Sequence, residues 1–126
     1  MFDDLAKFAF VSRNGEHAWK REHAQKAIDW LKSNSFATLG WEAWIIKDGT
    51  IIGSIETSHG SESRGYAGII KEPGETWLEF VKRSAEEIGG SIAQDNWPKD
   101  ALVSESDLRL NITYVNQGEY LSLFSR

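Results

Sequence analysis

The first strong pattern of apolar positions predicts a helix from about residue 16 to residue 31. Small and aliphatic residues recur there at the three- and four-residue spacings of one helical face, namely Ala24, Ala27, Ile28 and Leu31. The pairs Glu16–Lys20 and Glu22–Lys26 add favourable charge spacings. Residues 2–12 fit either a helix or a strand, and both interpretations stay open.

The clearest local signal is a hairpin centred on Asp48-Gly49. Runs rich in aromatic and β-branched residues flank this pair at 36–47 and 50–57. The pair predicts a two-residue type I′ turn, because glycine accepts the positive φ that this turn requires. The turn would place Trp44 opposite Gly53. Both faces are apolar, so we expect the hairpin to be central; one face carries Trp44, Ile46, Ile51 and Ile55, and the other carries Trp41, Ala43, Ile45 and Ile52.

The second half of the chain predicts one helix between short strands. Residues 66–70 form a third strand, and the capping box Thr76-x-x-Glu79 opens a helix that Gly89-Gly90 is expected to end. Residues 108–114 alternate as in a half-buried strand, and 120–124 are expected to pair with it. The predicted fold is α+β, in the order α-β-β-β-α-β-β, with two main helices packed on an antiparallel sheet of about five strands.

Composition predicts a single globular domain over residues 1–126. The chain is 40% hydrophobic and 12% aromatic, which is enough for one core. No apolar run reaches the ~18 residues of a membrane span, and the start MFDDLAKF lacks the features of a signal peptide. We therefore expect a cytoplasmic protein that does not bind membranes. The lack of cysteine excludes disulfides, thiolate metal sites and cysteine nucleophiles.

One helix has the partial pattern of a metal-dependent hydrolase. Gly68, Glu86, Glu87 and Gly89 fall at the spacing of the Nudix box, in which helical glutamates hold Mg²⁺ against a diphosphate. Arg83 stands where that box needs a carboxylate, and a guanidinium cannot replace an oxygen ligand. We therefore predict no metal site, no cofactor and no pyrophosphohydrolase activity. The segment is interpreted as a capped amphipathic helix.

The polar loop at 58–65 is the second candidate for chemistry. It gathers an imidazole, hydroxyls, an acid and a base, from His59, Ser61, Glu62, Ser63 and Arg64. A serine nucleophile also needs an orienting group and an oxyanion hole, and the nucleophile-elbow motif is absent. His17 and His23 are six residues apart, which is not the spacing of a helical metal pair. A small hydrolase built on this loop or on the Nudix-like helix remains an alternative function.

The distribution of charge is the most informative functional feature. Residues 86–107 sum to −5 and so carry the whole net charge of the chain. Against the single base Lys99, this segment has six acids: Glu86, Glu87, Asp95, Asp100, Glu105 and Asp107. With Trp97 as an apolar anchor, these acids form a candidate surface for a basic protein partner. The negative charge argues against direct nucleic-acid binding.

Two tryptophan-containing stretches, Leu39-Gly40-Trp41-Glu42-Ala43-Trp44 and Pro73-Gly74-Glu75-x-Trp77, lie in this small acidic chain with six tryptophans. In these features the chain resembles the immunity proteins of bacterial contact-dependent and other polymorphic toxin systems. The resemblance implies tight binding to a cognate toxin domain, often a nuclease, without catalysis, and it assigns no role to any residue. A structural subunit that self-associates through an apolar sheet face is a further alternative, and the oligomeric state stays open.

Overall fold

The computed structural model describes residues 5–54, 65–95 and 104–124. It has the predicted α+β architecture, with helices packed on an antiparallel sheet. In chain order the elements are β1 (Ala9–Val11), β2 (His17–Trp19), α1 (Arg21–Ser33), β3 (Ala37–Lys47), β4 (Thr50–Ser54), β5 (Gly65–Tyr66), α2 (Trp77–Gln94), a 3-10 helix (Glu105–Asp107), β6 (Leu108–Val115) and α3 (Gln117–Phe124). Within these ranges no helix is long and apolar enough to cross a bilayer.

The sheet is built around β3. Its strand order is β1-β2-β6-β3-β4, and the two-residue strand β5 also pairs with β3. The β3–β6 ladder runs from Ala37 opposite Val115 to Ile45 opposite Leu108. The prediction that the hairpin is central is therefore right for β3, which has neighbours on both sides, and wrong for β4, which lies at one end of the described sheet.

The core lies between the sheet and the two main helices. α1 and α2 contribute Ala24, Ala27, Ile28, Leu31, Phe80, Val81, Ala85, Ile88 and Ile92, and the sheet contributes Trp19, Trp41, Ala43, Leu108, Leu110 and Ile112. The indole N–H groups of the two tryptophans in this core are both hydrogen-bonded. Trp19 donates to the Leu5 carbonyl at 3.0 Å, and Trp41 donates to the Ser91 hydroxyl at 2.9 Å. Hydrogen-bonded indoles avoid the penalty for burying an unpaired donor.

The first helix begins later than the sequence pattern predicts. α1 starts at Arg21, and the preceding His17–Trp19 segment forms β2, paired with both β1 and β6. The reason is burial: Ala18 and Trp19 are both 0% exposed, and a strand places the large indole inside the core. The apolar face predicted for the helix is confirmed, since all of its residues are buried. Residues 9–11, part of the segment for which the sequence allowed either a helix or a strand, form the strand β1.

The predicted hairpin has the right turn and a partly wrong register. Asp48 and Gly49 have φ angles of 51° and 75°, as a type I′ turn requires. Trp44 lies opposite Ser54 rather than Gly53. The register shifts in the middle of the ladder, where β4 has one more residue than β3, which is the geometry of a β-bulge.

The predicted start of the second helix is confirmed and its predicted end is wrong. Thr76 accepts a hydrogen bond from the Glu79 backbone and Glu79 accepts one from the Thr76 backbone, which forms the capping box. The helix then continues through Gly89 and Gly90 for one further turn. Gly89 is buried where Gln25 of α1 donates to its carbonyl at 2.9 Å, so this glycine serves helix packing rather than termination.

The end of the chain is helical, and the predicted second hairpin is wrong. The backbone N–H of Asn116 donates to the Glu119 carboxylate, and the Glu119 N–H donates to the Asn116 side chain, at 2.9 and 2.8 Å. These reciprocal bonds satisfy backbone donors at a helix start, and α3 follows. The third predicted strand, 66–70, is shortened to β5. The predicted succession α-β-β-β-α-β is found from α1 to β6, but two strands precede it and a helix replaces the last predicted strand. The fold class is as predicted.

Candidate partner-binding surface

Arg21 joins three parts of the chain at one end of the helical layer. It is the first residue of α1, and its guanidinium donates to Asp95 at 2.8 Å, to Glu105 at 2.9 Å and to the Ile92 carbonyl at 2.8 Å. Asp95 is the C-terminal cap of α2, and Glu105 opens the 3-10 helix. The structure thus brings together two of the acids that the sequence places in the charged segment.

The Arg21 cluster holds a half-buried guanidinium between two carboxylates of different exposure. Partial burial acts to lower the pKa of Arg21, but hydrogen bonds to Glu105 and Asp95 outweigh it and raise that pKa above its ordinary value. Within this cluster one guanidinium binds two carboxylates. The Asp95 side chain is 10% exposed and the Glu105 side chain is 54% exposed, so Glu105 is the more accessible of the two carboxylates.

Arg83 forms a second cluster of the same composition on α2. It donates to Glu75 at 2.8 Å, to Glu87 at 3.0 Å and to the Ile70 carbonyl at 2.7 Å. The hydrogen bonds from Arg83, followed by one from the Glu72 backbone, lower the pKa of Glu75 from 4.5 to about 2. Here too one guanidinium serves two carboxylates.

The predicted surface is divided into separate groups. Glu87 lies with Arg83, and eight residues of helix, about 12 Å of rise, separate it from Asp95. Glu86 is exposed on α2. Asp107 lies 3.7 Å from the ammonium of Lys47. Trp97 and Asp100 lie outside the described residues, so the structure does not place them.

The sequence did not predict which bases pair with these acids, and the structure identifies them as Arg21, Arg83 and Lys47. A sum of charges over a segment includes only residues that are close in sequence. Arg21 and Lys47 are distant in sequence from their acids and contact them only in the folded chain. Only the Arg83–Glu87 pair had a local signal, since i and i+4 side chains meet on a helix. The acidic segment is therefore partly neutralised by residues outside it, and its net surplus is smaller than its linear charge.

The alternative catalytic sites gain no support from the described geometry. Glu87, which the Nudix-like pattern offers as a metal ligand, is engaged by Arg83. In the part of the chain that the structure describes, no group of three or more His, Cys, Asp or Glu side chains could hold a metal ion. His17 stacks on Trp19, and burial lowers its pKa, while His23 packs on Phe8 with ring centroids 4.7 Å apart. His59 lies outside the described residues.

An open cleft adjoins the Arg21 cluster. It measures about 490 Å³ and is lined by Lys20, Arg21, Glu22, Glu105 and Ser106. Its lining contains both acidic and basic residues, and the guanidinium of Arg21 already binds Asp95 and Glu105. The cleft is open to solvent, whereas a site for a small apolar ligand is enclosed.

Comparisons of the chain with protein-family models, with curated proteins and with solved structures found no significant match.

Proposed function

We propose that this chain is a cytoplasmic immunity protein that binds and neutralises a cognate toxin domain, one with a basic surface such as a nuclease. The observation that carries the proposal is the pair of arginine-centred clusters, each with two carboxylates to one guanidinium. Each cluster holds two acids in fixed positions on the surface. A nuclease must present Lys and Arg to phosphates, so such a surface is complementary to it.

The accessible acids are the ones expected to meet the partner first. Glu105 is 54% exposed beside the open cleft, and Glu86 is exposed on α2 next to Glu87 in sequence. Exposed ion pairs contribute only about 0–1 kcal/mol each, so they act mainly by steering encounter and raising the association rate. Slow dissociation of the complex needs a buried apolar anchor, and Trp97 is the proposed anchor.

The proposed function requires a toxin domain encoded beside this gene, and binding kinetics with that domain test the proposal. The variant Glu86→Gln/Glu105→Gln should associate about three- to tenfold more slowly at low salt. The difference should vanish near 1 M salt, where the Debye length falls to about 3 Å. Trp97→Ala should associate normally and dissociate faster.

A charge-matched control separates this surface from the overall charge of the protein. Glu16→Gln/Asp29→Asn also removes two exposed acids, but it does so outside both clusters. It should bind like the wild type. Equal slowing by both double variants would show that only net charge matters, and unchanged kinetics in the Glu86/Glu105 variant would place the interface elsewhere.

A further inference from the structure

Glu105, the most accessible acid of the Arg21 cluster, lies on an element without a buried residue. The 3-10 helix Glu105–Asp107 is three residues long, and its side chains are exposed or half-buried. A short element of this kind gains little from apolar packing, so its stability depends on its polar contacts. Those contacts therefore decide where the Glu105 carboxylate points.

Among the described residues, three basic side chains bind this 3-10 helix. Arg21 donates from Nε to Oε1 of Glu105 at 2.9 Å. Lys47 lies 3.7 Å from Asp107, and its side chain is 58% exposed, so this long and solvated pair contributes little. Arg109 on β6 donates to a backbone carbonyl of the helix at 3.0 Å, but β6 directly follows the helix in sequence. Arg21 is thus the side chain that ties Glu105 to the helical layer.

Arg21 is fixed at its other two contacts, both at the end of α2. Nη1 donates to the Ile92 carbonyl and Nη2 donates to the Asp95 carboxylate, each at 2.8 Å. The Asp95 side chain is 10% exposed, so this end of the guanidinium is shielded from water. A guanidinium presents its donors in a rigid planar fork. Two bonds to α2 therefore set the direction of the third, which reaches Glu105.

The Arg21 contact leaves Glu105 accessible to another protein. Arg21 binds one carboxylate oxygen of Glu105 through a single N–H, and the Glu105 side chain stays 54% exposed at the rim of the open cleft. The two acids of the cluster therefore differ in what they can do. Asp95 holds the guanidinium, while Glu105 is held by it and faces solvent.

We propose that Arg21 is a positioning residue, which holds Glu105 in the orientation that meets a lysine or arginine of the partner. This inference rests on the proposed function, and it gives a base a necessary part in binding a basic partner. A carboxylate that is already held loses less conformational freedom on binding than one on a free side chain. The pairing of Arg21 with Asp95 offsets the repulsion between its charge and the cations of the partner.

Two substitutions of Arg21 separate orientation from charge. Arg21→Lys keeps the net charge at −5, but an ammonium cannot bind three acceptors in one planar fork. It should associate with the toxin domain about two- to tenfold more slowly, which is the ordering cost of one long side chain. Arg21→Gln should also associate more slowly, although it makes the chain more negative. The dissociation rates should change less, because the ordering of Glu105 precedes the contact.

Lys32→Gln is the matched control for the loss of one positive charge. Lys32 is exposed in the last turn of α1, at the opposite end of the helix from Arg21. This variant should associate at least as fast as the wild type, because charge alone favours a more negative chain. Circular dichroism checks that each variant is folded at the temperature of the binding measurement.

Backbone ¹⁵N relaxation gives a readout that needs no partner. The amides of Glu105–Asp107 should have order parameters near about 0.85 in the wild type and fall towards about 0.6 in Arg21→Gln, while α1 and α2 stay rigid. Unchanged order parameters would overturn the role of Arg21.

The binding data distinguish failure of this inference from failure of the proposed function. Wild-type binding with wild-type association by Arg21→Lys, or faster association by Arg21→Gln, would overturn the role of Arg21 and leave the proposed function standing. A wild type that does not bind the toxin domain would overturn the proposed function and this inference together.

Discussion

Trp44 is buried on the sheet face opposite the helices. Its ring is 6% exposed, meets the edge of Phe10 at 6.4 Å, and donates from its indole N–H to Glu42 at 2.8 Å. The Trp44 side chain therefore packs on an apolar ring and also donates a hydrogen bond to the exposed carboxylate of Glu42. It shows that the sheet is covered on both faces at its central strand.

Trp44→Ala should lower the free energy of unfolding by about 3–4 kcal/mol, because it removes a large buried ring and leaves a cavity. Urea denaturation measures the loss. Leu78→Ala, at a position 65% exposed, should change stability by less than about 0.5 kcal/mol. A loss under about 1 kcal/mol for Trp44→Ala would contradict the burial of this ring.

Glu75 should make the stability of the fold depend on acid. Its folded pKa is about 2, below the ordinary 4.5, because Arg83 binds the charged form. Its stabilising contribution is fully present above pH 4.5 and is lost as pH falls towards 2. Urea melts should therefore show a smaller loss of stability between pH 5 and pH 3 in Glu75→Gln than in the wild type. The control variant Asp29→Asn removes an exposed carboxylate and should lose as much stability between pH 5 and pH 3 as the wild type. An equal loss in all three proteins would contradict the Glu75–Arg83 pair.

At the scale of elements, the two adjacent glycines of α2 have different roles. A Cβ added at Gly90 would meet no heavy atom within 4 Å, whereas one at Gly89 would lie 3.1 Å from the Gln25 side-chain oxygen. Glycine costs a helix interior roughly 0.5–1 kcal/mol relative to alanine. Gly89 therefore allows α1 to approach α2 closely, while Gly90 only weakens the helix.

Gly90→Ala should raise the free energy of unfolding by about 0.5–1 kcal/mol, and Gly89→Ala should give a smaller gain or a loss. Thermal and urea melts of the two variants provide the comparison, with each glycine serving as control for the other. Equal stabilisation by both alanines would mean that the Gln25 contact does not constrain the helix pair.

Sequence reasoning succeeded for elements whose signals are local. The Asp48-Gly49 turn and the Thr76–Glu79 capping box are determined by neighbouring residues. It failed where distant contacts decide the structure. Trp19 joins the sheet, where its indole is fully buried in the core. Residues 117–124 are helical, although 120–124 were predicted to form a strand. Short segments carry weak propensities, and tertiary packing overrides them.

At the scale of the whole molecule, charge is arranged in three dimensions rather than along the chain. The sequence located an acidic segment at residues 86–107. The two arginines at the centres of the clusters, Arg21 on α1 and Arg83 on α2, both lie outside this segment. Pairing across 74 residues, as between Arg21 and Asp95, has no local sequence signal. The acidic clusters around Arg21 and Arg83 are the surface that the proposed function assigns to a basic partner.

The most direct test of the proposed function is neutralisation of the neighbouring toxin domain in a purified assay. The toxin domain alone should degrade its nucleic-acid substrate, and adding this chain should reduce the rate in proportion until it stops at one chain per toxin domain. The chain alone should leave the substrate intact. Undiminished degradation in the presence of excess chain would contradict the assignment as an immunity protein.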